Sequence, residues 1–254
     1  MSSHSPSWNI VGSSVLGSTH ARMGLPCQDA YATSILPDGT LLLVVADGAG
    51  SANRSEEGSR IAVSNSLHFL EWNLSQHVPE SPEAWQLLLR DTLRDSRLAL
   101  EEIVGDGDLY DLATTLLVVI VTQETLAAVQ IGDGAIVCRD SSGPLRVLTP
   151  LTQSEYINTT CFLTGTAFEE DALFTVLPAG EIDAIAAFTD GVQYVAIGYP
   201  MNAAHPPFFN PLFAFVALED SDSSELDAFL SSAQINERTD DDKTLVLVVR
   251  NATA

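Results

Sequence analysis

Three apolar runs in this chain stop at the same dipeptide, Asp-Gly. They are Leu41 to Ala46 before Asp47-Gly48, Ala127 to Ile131 (through Gly132) before Asp133-Gly134, and Ala184 to Thr189 before Asp190-Gly191. A fourth acidic cluster, Asp240-Asp241-Asp242, has the reverse polarity and opens the run Leu245 to Val249. Runs of this length and composition read as buried strands. Strands that begin or end in carboxylates gather several Asp oxygens at one rim of a sheet. Such a cluster repels itself unless cations occupy it, so the pattern points to a hard-metal site. A single Asp-Gly is more often only a turn. Three at strand ends, with a converse cluster, count against that simpler reading.

The remaining pattern predicts what surrounds that rim. Asp29 to Leu36, Pro37-Asp38-Gly39 and Thr40 to Ala46 form a β-hairpin, because Pro-Asp-Gly is turn chemistry. A turn centred on Asp38 pairs positions whose numbers sum to 76, which sets Asp29 beside Asp47 at the open end. Val63, Leu67, Leu70 and Leu74 make a helical stripe within residues 54–74. A second helix starts at Ser81-Pro82-Glu83, with Trp85, Leu89, Leu93, Leu100 and Ile103 as its buried face. Further strands are expected at Trp8 to Leu16, Leu112 to Val121, Leu126 to Ile131, Ala135 to Arg139, Leu145 to Leu148, Leu173 to Leu177, Ile182 to Phe188 and Lys243 to Arg250. A short helix is expected over Gly191 to Ile197, and another after the capping pair Asp222 and Glu225. A turn near Gln123-Glu124 brings Thr114 and Thr115 towards Asp133. An antiparallel final strand brings Asp241 to Asp190. The predicted fold is α+β, an antiparallel β-sandwich flanked by α-helices in four αββα layers.

At 254 residues and 46% hydrophobic content, with no composition break, the chain reads as one domain over residues 8–254 behind a polar tail at 1–7. Cys27, Cys138 and Cys161 form no C-x-x-C pair, which predicts free thiols and a cytoplasmic setting. No apolar run approaches the roughly 18 residues of a membrane span. The net charge of −23 excludes a nucleic-acid or anionic-membrane partner, both of which need a basic footprint. His4, His20, His68, His77 and His205 show no ligand spacing, so oxygen donors favour Mg²⁺ or Mn²⁺ over zinc. Two such ions roughly 3.5–4 Å apart activate a water and clamp a phosphoryl group.

The blocks Gln28-Asp29-Ala30, Val45-Ala46-Asp47-Gly48-Ala49-Gly50-Ser51, Ala113-Thr114-Thr115-Leu116, Ile131-Gly132-Asp133-Gly134, Phe188-Thr189-Asp190-Gly191-Val192 and Asp241-Asp242-Lys243-Thr244-Leu245 stand in one order over residues 10–250. In that order they resemble the metal-dependent Ser/Thr protein phosphatases of type 2C. The bacterial branch is the nearer match, through Gly17-x-x-His20, then Pro26-Cys27-Gln28-Asp29, and through the stretch from Glu155 to Thr164. The resemblance implies that Asp47 bridges two metals and that the Gly48 carbonyl ligates one. It implies that Asp190 and Asp241 complete the other ion, and that Asp29 acts mostly through metal-bound water. Asp133 matches the carboxylate that, with Asp190, holds a third, weaker metal. Asp47, Asp133 and Asp190 are thus the expected catalytic group.

Three departures stand out. Gly24 occupies the position of the family's phosphate-binding arginine, so Arg22 is expected to take that role, with His20 as the alternative. Ala49 replaces the histidine that serves eukaryotic members as general acid. Gly134 replaces the serine usual after the third-metal aspartate. The expected activity is hydrolysis of phosphoserine and phosphothreonine in proteins, by in-line attack of a water activated by the metal pair. The alternatives are a pseudophosphatase binding module and a two-metal hydrolase of small phosphoesters. Residues 151–171 are expected to form a flap beside the site. A cognate Ser/Thr kinase is the partner that the family suggests, and a monomer the expected state.

Overall fold

The structure is a computed structural model and describes residues 8–141, 143–148, 160–198 and 202–251. The chain opens with β1 (Trp8–Val15), α1 (Ser18–Met23), β2 (Asp29–Ile35) and β3 (Leu41–Asp47). Two long helices follow, α2 (Ser55–Gln76) and α3 (Pro82–Val104), then a 3₁₀ turn at Leu109–Leu112. Next come β4 (Leu116–Val121), β5 (Thr125–Ile131), β6 (Ala135–Asp140), β7 (Leu145–Val147), α4 (Phe168–Asp171), β8 (Leu173–Pro178) and β9 (Ile182–Phe188). The last part holds α5 (Asp190–Ala196), β10 (Ile197–Gly198), β11 (Ala203–Ala204), α6 (Pro206–Val216), α7 (Ser223–Leu230), α8 (Ala233–Asn236) and β12 (Lys243–Arg250).

Two five-stranded antiparallel sheets face each other, in the orders β1-β12-β9-β6-β7 and β2-β3-β4-β5-β8. The period-two alternation of strands sends successive side chains to opposite faces. Leu41, Leu43 and Val45 of β3 point into the space between the sheets, against Ile185, Ala187, Val246 and Val248. Leu42, Val44 and Ala46 point the other way, onto α2 and α3. Across the sandwich, Leu245, Leu247, Ala186 and Phe188 pack on α5, α6 and α7. Each central strand is therefore apolar on both faces, which is why the sequence shows unbroken apolar runs rather than alternation. The result is the expected αββα stack of antiparallel sheets between helices. Among the described residues no helix is long and apolar enough to cross a membrane.

The two long helices lie together on the outer face of the second sheet. Ser66 of α2 and Ser96 of α3 share a hydrogen bond of 2.7 Å where the helices meet. The Ser81 hydroxyl accepts from the Ala84 N–H, the cap that its position before Pro82 predicts. Trp85, Leu89, Leu93 and Leu100 are buried, whereas Ile103 in the last turn is 49% exposed.

Other departures have local causes. The strand expected from Leu112 begins only at Leu116, because Thr114 and Thr115 hydrogen-bond to the backbone at Asp47 and Leu112 closes the 3₁₀ turn. α1 and α6 were not foreseen. α6 carries Pro206, Pro207 and Pro211, which argue against a helix by propensity. Two prolines sit at its first turn, where no N–H bond is lost, and Phe209, Phe213 and Val216 bury against the first sheet. The tail at residues 1–7 and the first part of the flap, residues 151–159, lie outside the described residues.

Two substitutions separate core from cap. Leu43→Ala, between the sheets, should cost about 2–5 kcal/mol in urea unfolding, and Ser81→Ala about 1 kcal/mol.

Candidate active site

The hairpin register comes out as its turn predicts. Asp29 stands directly opposite Asp47 at the end of the β2–β3 ladder. Asp47 is fixed by its own backbone: its N–H donates to Thr115 Oγ1 at 2.9 Å, and its carbonyl accepts from the Thr115 N–H at 2.8 Å and Thr114 Oγ1 at 3.0 Å. Asp133 sits in the turn between β5 and β6, between Gly132 and Gly134, both at positive φ (94° and 89°). Asp190 is the first residue of α5, separated from β9 by Thr189 alone. Asp241 precedes β12, which pairs antiparallel with β9.

These segments converge on one pocket of about 290 Å³, lined by Asp47, Gly48, Asp133, Asp190, Asp240 and Asp241 together with His20. Carboxylate oxygens of Asp47, Asp133 and Asp190 all lie within 4.8 Å of one another. Asp241 shares the pocket wall without joining that tight group. Asp29 is set back: it is 9% exposed, does not line the pocket, and accepts from Thr189 Oγ1 at 2.8 Å. Of the residues expected to bind metal, the structure thus brings five to the pocket and places Asp29 one layer behind Asp47.

The glycines after the aspartates have unequal reasons. Gly134 needs its left-handed backbone. Gly191 is needed for close approach, since a Cβ there would fall 1.8 Å from the Asp242 carbonyl oxygen.

Asp242 is the functional residue whose role sequence reasoning missed. It is 3% exposed, and its carboxylate accepts from the backbone N–H of Gly17 and of Gln28, each at 2.6 Å. It also meets His20 Nδ1 at 2.9 Å, too obliquely for a hydrogen bond. His20 is thereby held on the pocket wall, 8% exposed. Arg22 is not on that wall; its guanidinium is exposed, donates to Thr19 Oγ1 at 2.9 Å and lies 3.9 Å from Asp240. The motif Gly17-x-x-His20 is explained by packing, because a Cβ on Gly17 would fall 2.3 Å from the Asp241 carbonyl carbon. On the opposite side, Thr160 Oγ1 donates to Asp133 Oδ2 at 2.9 Å and Phe162 lines the pocket, so the described part of the expected flap borders the site.

Electrostatically the site is under tension. Burial, then the Asp29, Asp190 and Asp133 charges, push the Asp47 carboxyl well above the usual range. Burial and the Asp133 and Asp241 charges raise Asp190 to about 6, and burial raises Asp29 to about 8. Asp190 Oδ1 is buried without a hydrogen-bond partner. An orphaned anionic oxygen among further carboxylates, with no Lys or Arg on the pocket wall among the described residues, is what a hard divalent cation would satisfy. The donor set therefore fits Mg²⁺ or Mn²⁺.

An antiparallel sandwich between helices, with oxygen donors gathered at one end of its strands, defines a metal-dependent hydrolase of the phosphatase class. Residues 16–231 match the protein phosphatase 2C family, and the chain belongs to it. It is 37% identical to serine/threonine-protein phosphatase 3 of Escherichia coli (strain K12), over 96% of this chain and 98% of that protein. Among solved structures it is similar in fold to a bacterial serine phosphatase (TM-score 0.69, 14% identity, 98% of this chain and 100% of that chain). The Staphylococcus aureus phosphatase Stp1 is similar too (TM-score 0.68, 15% identity, 97% and 96% covered). So is the catalytic domain of the phosphatase PstP in complex with two manganese ions (TM-score 0.64, 18% identity, 96% and 99% covered).

The raised carboxyls give a stability test. Their folded forms keep protons that an unfolded chain releases near pH 4. The stability they contribute is therefore full below about pH 4 and lost as pH rises towards 8. In the metal-free protein the melting temperature should fall across that window, and added Mn²⁺ should raise it most at the alkaline end. Calorimetry in chelator and in Mn²⁺ checks this.

Proposed function

We propose that this chain hydrolyses phosphoserine and phosphothreonine in proteins, with two Mn²⁺ or Mg²⁺ ions held at the carboxylate pocket. The observation that carries this reading is the convergence of Asp47, Asp133 and Asp190, with Asp190 Oδ1 left without a partner. Family membership and the two manganese ions of the PstP relative support it. Asp47, Asp190, Asp241 and the Gly48 carbonyl are the groups that would hold the pair, with Asp133 beside them for a third ion. Bound there, divalent ions supply the positive charge that receives a phosphoryl group and acidify a water for in-line attack.

The chain's own residues do the rest. Thr114 and Thr115 lock the Asp47 backbone, which sets the point from which its carboxylate reaches the pocket beside Asp190. Thr160 orients Asp133. Asp29 is fixed by Thr189 behind the pocket, where it can position a water but not touch the substrate. His20 is the basic side chain on the wall, steadied by Asp242, and we assign to it the phosphate contact for which Arg22 was expected. The pocket opens beside Ser51 and Thr19 on the protein surface, which suits a phosphorylated side chain entering from a polypeptide. The domain over residues 8–254, a cytoplasmic setting, a monomeric state and a cognate Ser/Thr kinase supplying the phosphosites belong to the same proposal.

Phosphate release from phosphoserine and phosphothreonine peptides should require Mn²⁺ or Mg²⁺, vanish in chelator, and fall at least about a hundredfold in Asp190→Asn. Metal binding without turnover would instead make the chain a binding module, and a preference for nucleotides would make it a small-phosphoester hydrolase. For the phosphate contact, His20→Ala should lower kcat/KM about 10–100-fold, the loss of a charged hydrogen bond. Arg22→Ala should change it little. The opposite ranking in steady-state kinetics would return the role to Arg22.

A further inference from the structure

A second cavity, of about 730 Å³, opens among α5, α6, α7 and α8 and shares no lining residue with the carboxylate pocket. Its walls are mostly apolar, with Val195 of α5, Phe208 and Leu212 of α6, Phe229 of α7 and Ile235 of α8, and Tyr194, His205 and Gln234 are polar members beside them. Phe208, Leu212 and Ile235 belong to the packed core of this layer, and the Phe208 ring meets Phe209 edge-on at 5.0 Å and Phe229 at 5.9 Å. Such walls are set by packing and cannot easily close over the void. A space of this size with apolar walls is what a small-molecule site offers.

The cavity also has a cation. Arg238 lines it, and among the described residues the Arg238 side chain makes no ion pair or hydrogen bond. Several arginines elsewhere in this acidic chain are matched, Arg54 to Glu57, Arg90 and Arg94 to Glu169, Arg139 to Asp183 and Arg146 to Asp140, whereas Arg60, exposed on α2, lines no cavity. With a net charge of −23, the chain as a whole repels anions. A guanidinium left unmatched beside a largely apolar void is a local positive charge, and its planar fork suits a carboxylate.

We propose that this cavity binds a small amphipathic carboxylate, of the acyl-chain kind, with its apolar body among Phe208, Leu212, Phe229 and Ile235 and its head on Arg238. A neutral apolar ligand would leave Arg238 unmatched, and a polar anion would leave the walls unfilled. The site is independent of the phosphatase chemistry, although α5 links them, since the helix that begins with Asp190 carries Val195.

Isothermal titration of the full chain with octanoate, decanoate and decanol tests this. Decanoate should bind one to one and about 15-fold more tightly than octanoate, since each buried methylene contributes about fourfold. Arg238→Gln should weaken decanoate about tenfold and leave decanol unchanged. Leu212→Trp, which fills the cavity, should abolish binding of both. Absence of saturable binding, or decanoate binding that survives Arg238→Gln, would overturn the proposal. Arg238 is exposed, so that variant decides the matter even if Leu212→Trp fails to fold. The titrations do not depend on turnover, so they stand or fall apart from the phosphatase assay.

Discussion

The structure is organised around a repulsion. Asp47, Asp133 and Asp190 present carboxylate oxygens within 4.8 Å of one another, part-buried at the rim of a sandwich whose interior is apolar. Unit charges about 4 Å apart near a protein surface oppose each other by about 4 kcal/mol per pair. The raised Asp47 carboxyl and the Thr160 hydroxyl on Asp133 relieve part of this, and the remaining restraint comes from the fold. The three side chains sit at a strand end, in a turn and at a helix start, and each anchor is fixed by core packing that a rim repulsion cannot reopen. The cluster is held together by leucines and valines some distance away.

A second set of acids makes that tension tolerable by doing the opposite work. Asp242 spends its carboxylate on the N–H groups of Gly17 and Gln28, tying β12's approach to the loops on either side of α1. Asp29 accepts from Thr189, whose hydroxyl also accepts from the Thr244 N–H, so β2, β9 and β12 are pinned to each other at the rim. Buried acceptors with good donors act as rivets. Neighbouring residues thus divide the labour: Asp241 faces the pocket while Asp242 faces the scaffold, and Asp47 faces the pocket while Asp29 stands behind it.

That division marks the limit of what the sequence could convey. The strands were legible because burial on both faces turns them into unbroken apolar runs, and hairpin arithmetic set Asp29 opposite Asp47. Register fixes which residues are neighbours but not how deep each lies, so the set-back of Asp29 behind the pocket could not be read from the hairpin arithmetic. α6 was hidden because its prolines oppose a helix locally, and only the contacts of Phe209 and Phe213 with the first sheet overrule them. The start of β4 was placed too early because Thr114 and Thr115 have strand-like chemistry, while their hydroxyls and N–H groups serve Asp47 instead. Arg22 was named ahead of His20 from its place near Gly24, yet side-chain direction depends on how α1 meets Asp242, a contact 222 positions away from His20 in sequence.

The same reasoning orders the three Asp-Gly steps anew. Motif resemblance makes Asp133 the accessory member, but its carboxylate belongs to the tight group with Asp47 and Asp190, and Thr160 orients it. Asp241, expected in the essential pair, lies on the same wall outside that group. Its backbone is pressed against Gly17, Lys243 Nζ donates to its carbonyl at 3.2 Å, and its Oδ1 accepts from the Asp242 N–H at 2.8 Å, so main chain and carboxylate are both anchored beside the group. Three crowded acids with a fourth anchored beside them leave the repulsion to be neutralised by a bound cation rather than by rearrangement of the fold.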